Sequence, residues 1–385
     1  MSAAFIVAAR RTAVVPRDGA FRAATVTFLA AASMRAVLAD AGLAPGEVDD
    51  VILGNALYGG GNPARVAALL AGLPEETAAL TLDTQCCAGL DAVMLAAARV
   101  TAGEARAIVA GGVESFSRAP IRMQRPYDKD EAPRAYARPP FTPWPERDPD
   151  MIEAAASLAR ALGVTRQAQE AFAIESHRKA LAHGAAADID HEIVDIAGVE
   201  RDAFARALTE RLCARLPTLA GDPRHAVTAA TVAVEADAAA VVLVVTEAVA
   251  ARLTLAGRPV HILGGARRGG DPTMPGLAPV AAARAVLARH AIDADAVTVA
   301  EVMEAFAVQA IACVDRIGLD PARVNRGGGA LARGHPIGAS GAVLAVRLWH
   351  ELQREADAAT GLAAIAAAGG LGSALAMRPT GALES

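Results

Sequence analysis

Two residues able to carry out nucleophilic chemistry stand in constrained settings: Cys86 at the head of a helical pattern, and His335 inside a glycine-rich run. Arg326 to Gly341 reads Arg-Gly-Gly-Gly-Ala-Leu-Ala-Arg-Gly-His-Pro-Ile-Gly-Ala-Ser-Gly, one imidazole among six glycines and a proline. Glycine lets backbone approach a ligand closely, and Pro336 fixes the turn just after the histidine. The apolar run Ala342 to Trp349 follows like the first turns of a buried helix. A rigid loop holding one titratable ring at the mouth of a helix points to acid–base catalysis. A glycine-rich turn with a solvated histidine is the alternative. Cys86 belongs to Asp83-Thr84-Gln85-Cys86-Cys87-Ala88-Gly89-Leu90-Asp91-Ala92-Val93. A cysteine at the first turn of a helix feels unpaired N–H groups and the positive end of the dipole, which both favour thiolate. A buried packing cysteine is the alternative. Two adjacent cysteines cannot face one pocket, so one is expected as nucleophile and the other as packing. Such a nucleophile needs a base, and His335 is the histidine in the most constrained setting.

The elements that must position this pair alternate in type. Phe5 to Ala8 reads as a strand, Val26 to Ala41 as a helix ending at Gly42, and Val51 to Leu57 as a strand. Ala92 to Thr101 is helical and Ala107 to Val113 a buried strand, an alternation that predicts an α/β layered fold. Ile121 to Pro149 is rich in Pro, Arg and Asp, as a loop or cap would be. Helical patterns follow at Ile152 to Leu162, Arg166 to Ala182 and Ala203 to Arg215, and the buried-strand signal resumes near Ala238. Residues 121–237 therefore read as an insertion between two strands of the first core domain. An internal repeat is also present. Cys86 to Gly89 opens a helix leading to the strand Ala107 to Gly112 and then Glu114-Ser115. Gly338 to Gly341 opens a helix leading to Ala363 to Gly370 and then Gly372-Ser373. If the repeat is real, the halves pack about a pseudo-twofold and the helix starts near Cys86 and Gly338 meet. Chance similarity in an alanine-rich chain is the alternative.

Composition narrows the function classes. The 385 residues exceed one ordinary core, so two or three domains are expected. Net charge is −5 with no basic stripe, which argues against nucleic acid. The longest apolar stretch, Ala238 to Val245, is too short to span a bilayer. No secretory signal is visible at Met1 to Arg11, and with only four cysteines, none in a Cys-x-x-Cys pair, a cytoplasmic location is expected and a structural zinc site is not. The glycines do not form a dinucleotide or phosphate loop. No Gly-x-Gly-x-x-Gly follows a strand with an acid about 20 residues on.

Residues 86–92, Cys-Cys-Ala-Gly-Leu-Asp-Ala, resemble the nucleophile segment of thiolases. Gly111 to Pro120 resembles their conserved strand and turn, Glu301 to Ala307 their Asn-Glu-Ala-Phe-Ala motif, and Asn325 to Gly341 their Gly-His-Pro loop. Gly54-Asn55, Asn62 to Arg65, Gly72 to Pro74, Met151 and Ser176-His177 also fit, in order along essentially the whole chain. The resemblance implies a five-layered αβαβα fold of two βαβαβαββ halves with an inserted loop domain. The halves would be 1–120 with 238–257, and 258–385, and the insertion 121–237. It implies coenzyme A thioesters as substrate, no tightly bound cofactor, no metal, and a homodimer or homotetramer. Cys86 would take the acyl group and His335 would activate it and help form one oxyanion hole. Backbone N–H groups at Cys86 and Ala368 would form the second. Met151, Ala233, Ala305 and Phe306 fall at substrate-binding positions.

Two motif positions depart. Met303 stands where the family has the Asn that orients a water beside the histidine. Ala366 stands where it has the second cysteine that handles the α-proton. The segment that touches the coenzyme tail is also altered, reading Thr228-Ala229-Ala230-Thr231-Val232-Ala233-Val234. Acyl capture by Cys86 is expected, in 3-ketoacyl-CoA thiolysis or Claisen-type condensation. A decarboxylating condensing enzyme and an impaired, coenzyme-binding subunit are the alternatives.

Overall fold

The computed structural model describes residues 3–185 and 191–381. The outermost bounds of the two expected halves, and residues 186–190 of the expected insertion, lie outside the described residues. The first half comprises β1 (Ala4–Thr12), α1 (Val26–Ala41), β2 (Asp50–Gly54), α2 (Pro63–Ala71), β3 (Ala78–Leu82), α3 (Ala88–Thr101) and β4 (Ala107–Glu114). After the long segment that holds α4 (Met151–Leu162) and α5 (Arg166–Gly184), the chain returns as β5 (Ala236–Thr246). The second half comprises β6 (Val260–Gly269), α6 (Ala278–Arg289), β7 (Val299–Val302), α7 (Ala307–Ile317), α8 (Ile337–Leu352), β8 (Gly361–Ala367) and β9 (Leu371–Pro379).

Local chemistry sets the ends. Thr25 caps α1 by accepting from the Phe28 N–H, and Gly42 closes the helix at φ 62, as the sequence predicts. The stretch expected as a helix over Ala203 to Arg215 is helical only at Glu210–Cys213, behind a Thr209 cap. Upstream, the Arg206 N–H donates to His177 Nδ1, and the Phe204 ring lies tilted against that imidazole, so this part of the backbone has a side-chain partner instead of a helical one.

The strands run in the order β7-β8-β9-β6-β1-β5-β4-β2-β3, with β1 and β6 joined antiparallel where Phe5 faces His261 and Ile6 faces Val260. Each side of that seam repeats one pattern: an antiparallel neighbour, another antiparallel step, then a parallel strand. Period-two alternation divides the side chains between cores. On β5, Ala238, Ala240, Val242 and Val244 enter an inner core that α3 and α8 share. Ala239, Val241, Leu243 and Val245 enter an outer core under α1 and α2. A third core lies under α6 and α7. The layers are thus helix, sheet, helix, sheet, helix, which is the expected five-layered αβαβα arrangement. Strands buried on both faces read as continuous apolar runs, and that is why they were legible.

The repeat is visible at the crossing of α3 and α8. A Cβ at Gly89 would lie 2.7 Å from the Ala342 nitrogen, and one at Gly341 would lie 2.5 Å from the Leu90 nitrogen. These two contacts exchange under a twofold that relates Gly89 to Gly341 and Leu90 to Ala342. Gly112 supports the same approach: a Cβ there would sit 2.1 Å from the Gly338 carbonyl oxygen. We predict that Gly112→Ala destabilises the protein by about 1–3 kcal/mol or more, because backbone rather than a flexible side chain must yield. Thermal melting checks it, and an unchanged midpoint would contradict the contact.

Candidate active site

Cys86 lies in a single 3₁₀ turn, Gln85–Cys87, that leads into α3. Gln85 holds φ 56, in the left-handed region, and its N–H donates to Asp83 Oδ1 at 2.7 Å. This bend lifts Cys86 into a cavity while Cys87 is fully buried behind it, its thiol 3.5 Å from the Ile365 carbonyl. His335 sits just before α8, and its N–H donates to the Val234 carbonyl at 2.7 Å. The repeat brings the two helix starts together, and Cys86 Sγ stands 3.1 Å from His335 Nε2.

The tautomer follows from the hydrogen bonds. Ser340 Oγ donates to the Pro336 carbonyl at 3.0 Å, so toward His335 Nδ1, 2.7 Å away, it accepts. Nδ1 therefore carries the hydrogen, and Nε2 presents a lone pair to the thiol. Burial pushes the Cys86 thiol up to about 12, and the Glu114 and Asp83 carboxylates push the same way. Burial lowers His335 to about 4. The helix start was expected to favour thiolate, but loss of water outweighs it, so the resting pair is neutral thiol and neutral imidazole. Labelling of Cys86 by a neutral alkylating agent is predicted to stay nearly flat over about pH 6–9, where a free thiol of pKa roughly 8.5 would climb steeply. The rate falls on acidification toward about 4, as His335 protonates and the base is lost. A tenfold rise per pH unit across that window would show alkylation through trace thiolate and so remove His335 as the acceptor of the thiol proton.

Two buried networks hold the pair. Glu114, at the end of β4, accepts from Gly338 N at 2.9 Å, Ala56 N at 3.0 Å and Asn55 Nδ2 at 2.7 Å, and its burial raises it to about 7. Behind the glycines, Glu304 accepts from Ser176 Oγ and Asn325 Nδ2, both at 2.7 Å, and Ser176 Oγ accepts from Gly329 N at 3.0 Å. Arg333, two residues before His335, donates to the Gly327 carbonyl at 2.7 Å and pairs with Asp202 at 3.2 Å. Arg11 also reaches Asp202, at 2.6 Å. Sequence reasoning gave none of Glu114, Ser340, Arg333 or Asp202 a role. The signal for Glu114 was its place at the end of an apolar, glycine-containing strand.

The cavity holds about 570 Å³. Met151, Ala233, Ala305, Phe306, Ala366 and Ala368 all line it with Cys86 and His335. Met303 does not: it is buried in the inner core, with its N–H donating to the Ala364 carbonyl at 2.9 Å. Cys313 is not among the lining residues either, its thiol donating to the Gly276 carbonyl at 3.2 Å. Among the described residues, no group of three or more His, Cys, Asp or Glu side chains could hold a metal ion, and no helix is long and apolar enough to cross a membrane.

Residues 4–248 match the N-terminal domain of thiolase, and residues 256–379 match its C-terminal domain. The chain belongs to the thiolase family. This thiolase is 38% identical over 395 residues to an acetyl-CoA acetyltransferase of Cupriavidus necator, covering 98% of this chain and 99% of that one. It is 39% identical over 391 residues to an acetyl-CoA acetyltransferase of Pseudomonas aeruginosa, covering 96% and 98%. The crystal structure of the Bacillus anthracis acetyl-CoA acetyltransferase superposes with a TM-score of 0.90 at 30% identity, covering 98% and 99% of the two chains.

Proposed function

We propose that this thiolase is an acyltransferase that takes the acyl group of an acyl-CoA onto Cys86, in 3-ketoacyl-CoA thiolysis or Claisen-type condensation. The observation that carries the reading is the 3.1 Å contact of Cys86 Sγ with an unprotonated His335 Nε2 at the wall of a large cavity. In acylation, Sγ attacks the thioester carbon as Nε2 takes the thiol proton. The carbon–sulfur bond to coenzyme A then breaks, and the departing sulfur recovers that proton from His335. Cys86 and Ala368 line the cavity where their N–H groups would meet the oxyanion. Met151, Ala233, Ala305 and Phe306 would contact the substrate.

Ala366 favours a second reading, a coenzyme-binding subunit without carbon–carbon chemistry, because a methyl group moves no proton. The carboxylates that line the cavity are Asp83 and Glu235. Mass spectrometry after incubation with a panel of acyl-CoAs tests the reading. We expect an acyl adduct on Cys86. No adduct from any acyl-CoA, with measurable coenzyme A binding, would replace the enzyme by the binder.

The chain is also proposed to self-associate and to work in the cytoplasm. Edge strand β3 and neighbouring α2 leave Leu80, Val66, Leu69 and Leu70 exposed, which suits pairing with a second copy. All four cysteines are free, which suits a reducing compartment.

A further inference from the structure

We propose that Arg122 selects acyl groups bearing a second carboxylate, so that the preferred substrate is a thioester of a dicarboxylic acid. The proposal rests on the acyl-CoA reading above and names the substrate class of that site. Arg122 lines the cavity and is half-buried. Its carbonyl accepts from Tyr136 N at 3.0 Å, which fixes the backbone at the base of a short hairpin. Its Nη2 donates to the Ala56 carbonyl at 2.7 Å. The Ala56 N–H goes to Glu114 Oε2 at 3.0 Å, and the same oxygen takes Gly338 N at 2.9 Å. The guanidinium is thus tied, through Ala56 and Glu114, to Gly338 in the first turn of α8, three residues past His335. Ala56, Arg122, Cys86 and His335 all line the one cavity in which the acyl group must lie for its thioester to reach Cys86. The phosphates of coenzyme A are a long pantetheine arm away from that sulfur.

The other ions of the wall are otherwise engaged. Arg138 pairs with Asp148, Glu235 pairs with Arg17, and Asp83 Oδ1 takes the Gln85 N–H. Arg122 has no carboxylate partner among the described residues, and its one hydrogen bond leaves most of its donor fork open. The same cavity is lined by the apolar side chains of Leu57, Phe116, Met151, Leu158 and Phe306. A guanidinium on an apolar wall gains most from a planar anion that it can bind in two-point fashion, and a neutral chain leaves those donors unmet. The carboxylate is a bystander in the acyl step. The Cys86 Sγ–acyl bond forms, the acyl–coenzyme A sulfur bond breaks, and the thiol proton leaves on coenzyme A through His335.

Rates of Cys86 acylation by succinyl-CoA and butyryl-CoA, which share a four-carbon acyl chain, test this in the full-length protein. We expect succinyl-CoA to be favoured, and the succinyl-to-butyryl ratio to fall roughly 10- to 100-fold in Arg122→Leu and less in Arg122→Lys. The ratio is internal to each variant, so partial loss of folded protein does not affect it. A wild-type preference for butyryl-CoA, or a ratio unmoved by Arg122→Leu, overturns the proposal. Equal losses for both substrates also overturn it, by placing Arg122 on the coenzyme A portion they share. If neither substrate nor any other acyl-CoA acylates Cys86, the acyl-enzyme reading itself fails. If butyryl-CoA labels Cys86 without a carboxylate preference, only the role of Arg122 fails.

Discussion

Cys86→Ala is expected to abolish acyl-adduct formation and to lower turnover on the order of 10,000-fold or more, because no other thiol can take its place. Cys87 is fully buried, and its thiol points to the Ile365 carbonyl. Burial also pushes it beyond the range in which a thiolate forms near neutral pH. Cys313 is held on the Gly276 carbonyl. The substitution removes one sulfur from a partly exposed position and leaves a methyl group, so the fold and the cavity survive. Retained labelling by acyl-CoA in Cys86→Ala, mapped by peptide mass spectrometry, would falsify the nucleophile assignment.

His335→Ala is expected to lower the rate of Cys86 acylation about 100- to 10,000-fold, the usual range for loss of a positioned general base. The effect is not masked by a pre-formed thiolate, since burial holds Cys86 at about 12. An enzyme storing thiolate would lose less on removal of the imidazole. The main-chain bond from residue 335 to the Val234 carbonyl does not depend on the side chain, and Ser340 keeps its bond to the Pro336 carbonyl. The loss should therefore appear in the acylation rate rather than in the melting temperature. A fall of less than about tenfold, measured by stopped-flow release of coenzyme A, would remove His335 from the base role.

The layered architecture was legible because strands buried on both faces and helices ending at glycine leave clear marks. Val26 to Ala41 was bounded correctly, with Gly42 marking its close. Cys86 and His335 were legible for a different reason. Each needs a special backbone near it, and the glycines and Pro336 record that need. Met303 was read by its motif slot alone, and period-two alternation after β7 puts its side chain in the inner core that Cys86 packs against. The protonation state was not legible. Helix position argues for thiolate, and only the folded structure shows the burial and the Glu114 and Asp83 carboxylates that oppose it. Nor were the ties from Glu114 to Gly338, or from Asp202 to Arg333, since such partners are far apart in sequence and carry no shared pattern.

The strand order has a consequence for synthesis. β9 follows all the other strands of the order in sequence, yet it does not lie at an edge; it is inserted between β6 and β8. A ribosome-bound chain that has already emerged past Cys86 must wait for His335, α8 and then β9 before the inner core closes. Until the second half joins, the inner faces of β1, β4 and β5 are covered by α3 alone and invite chaperone binding or misassembly. The nascent thiol meanwhile has no imidazole beside it. The paired site is therefore expected to form only after β9 has joined the sheet, and a chain cut short within β9 would lack the strand that links β6 to β8 behind it.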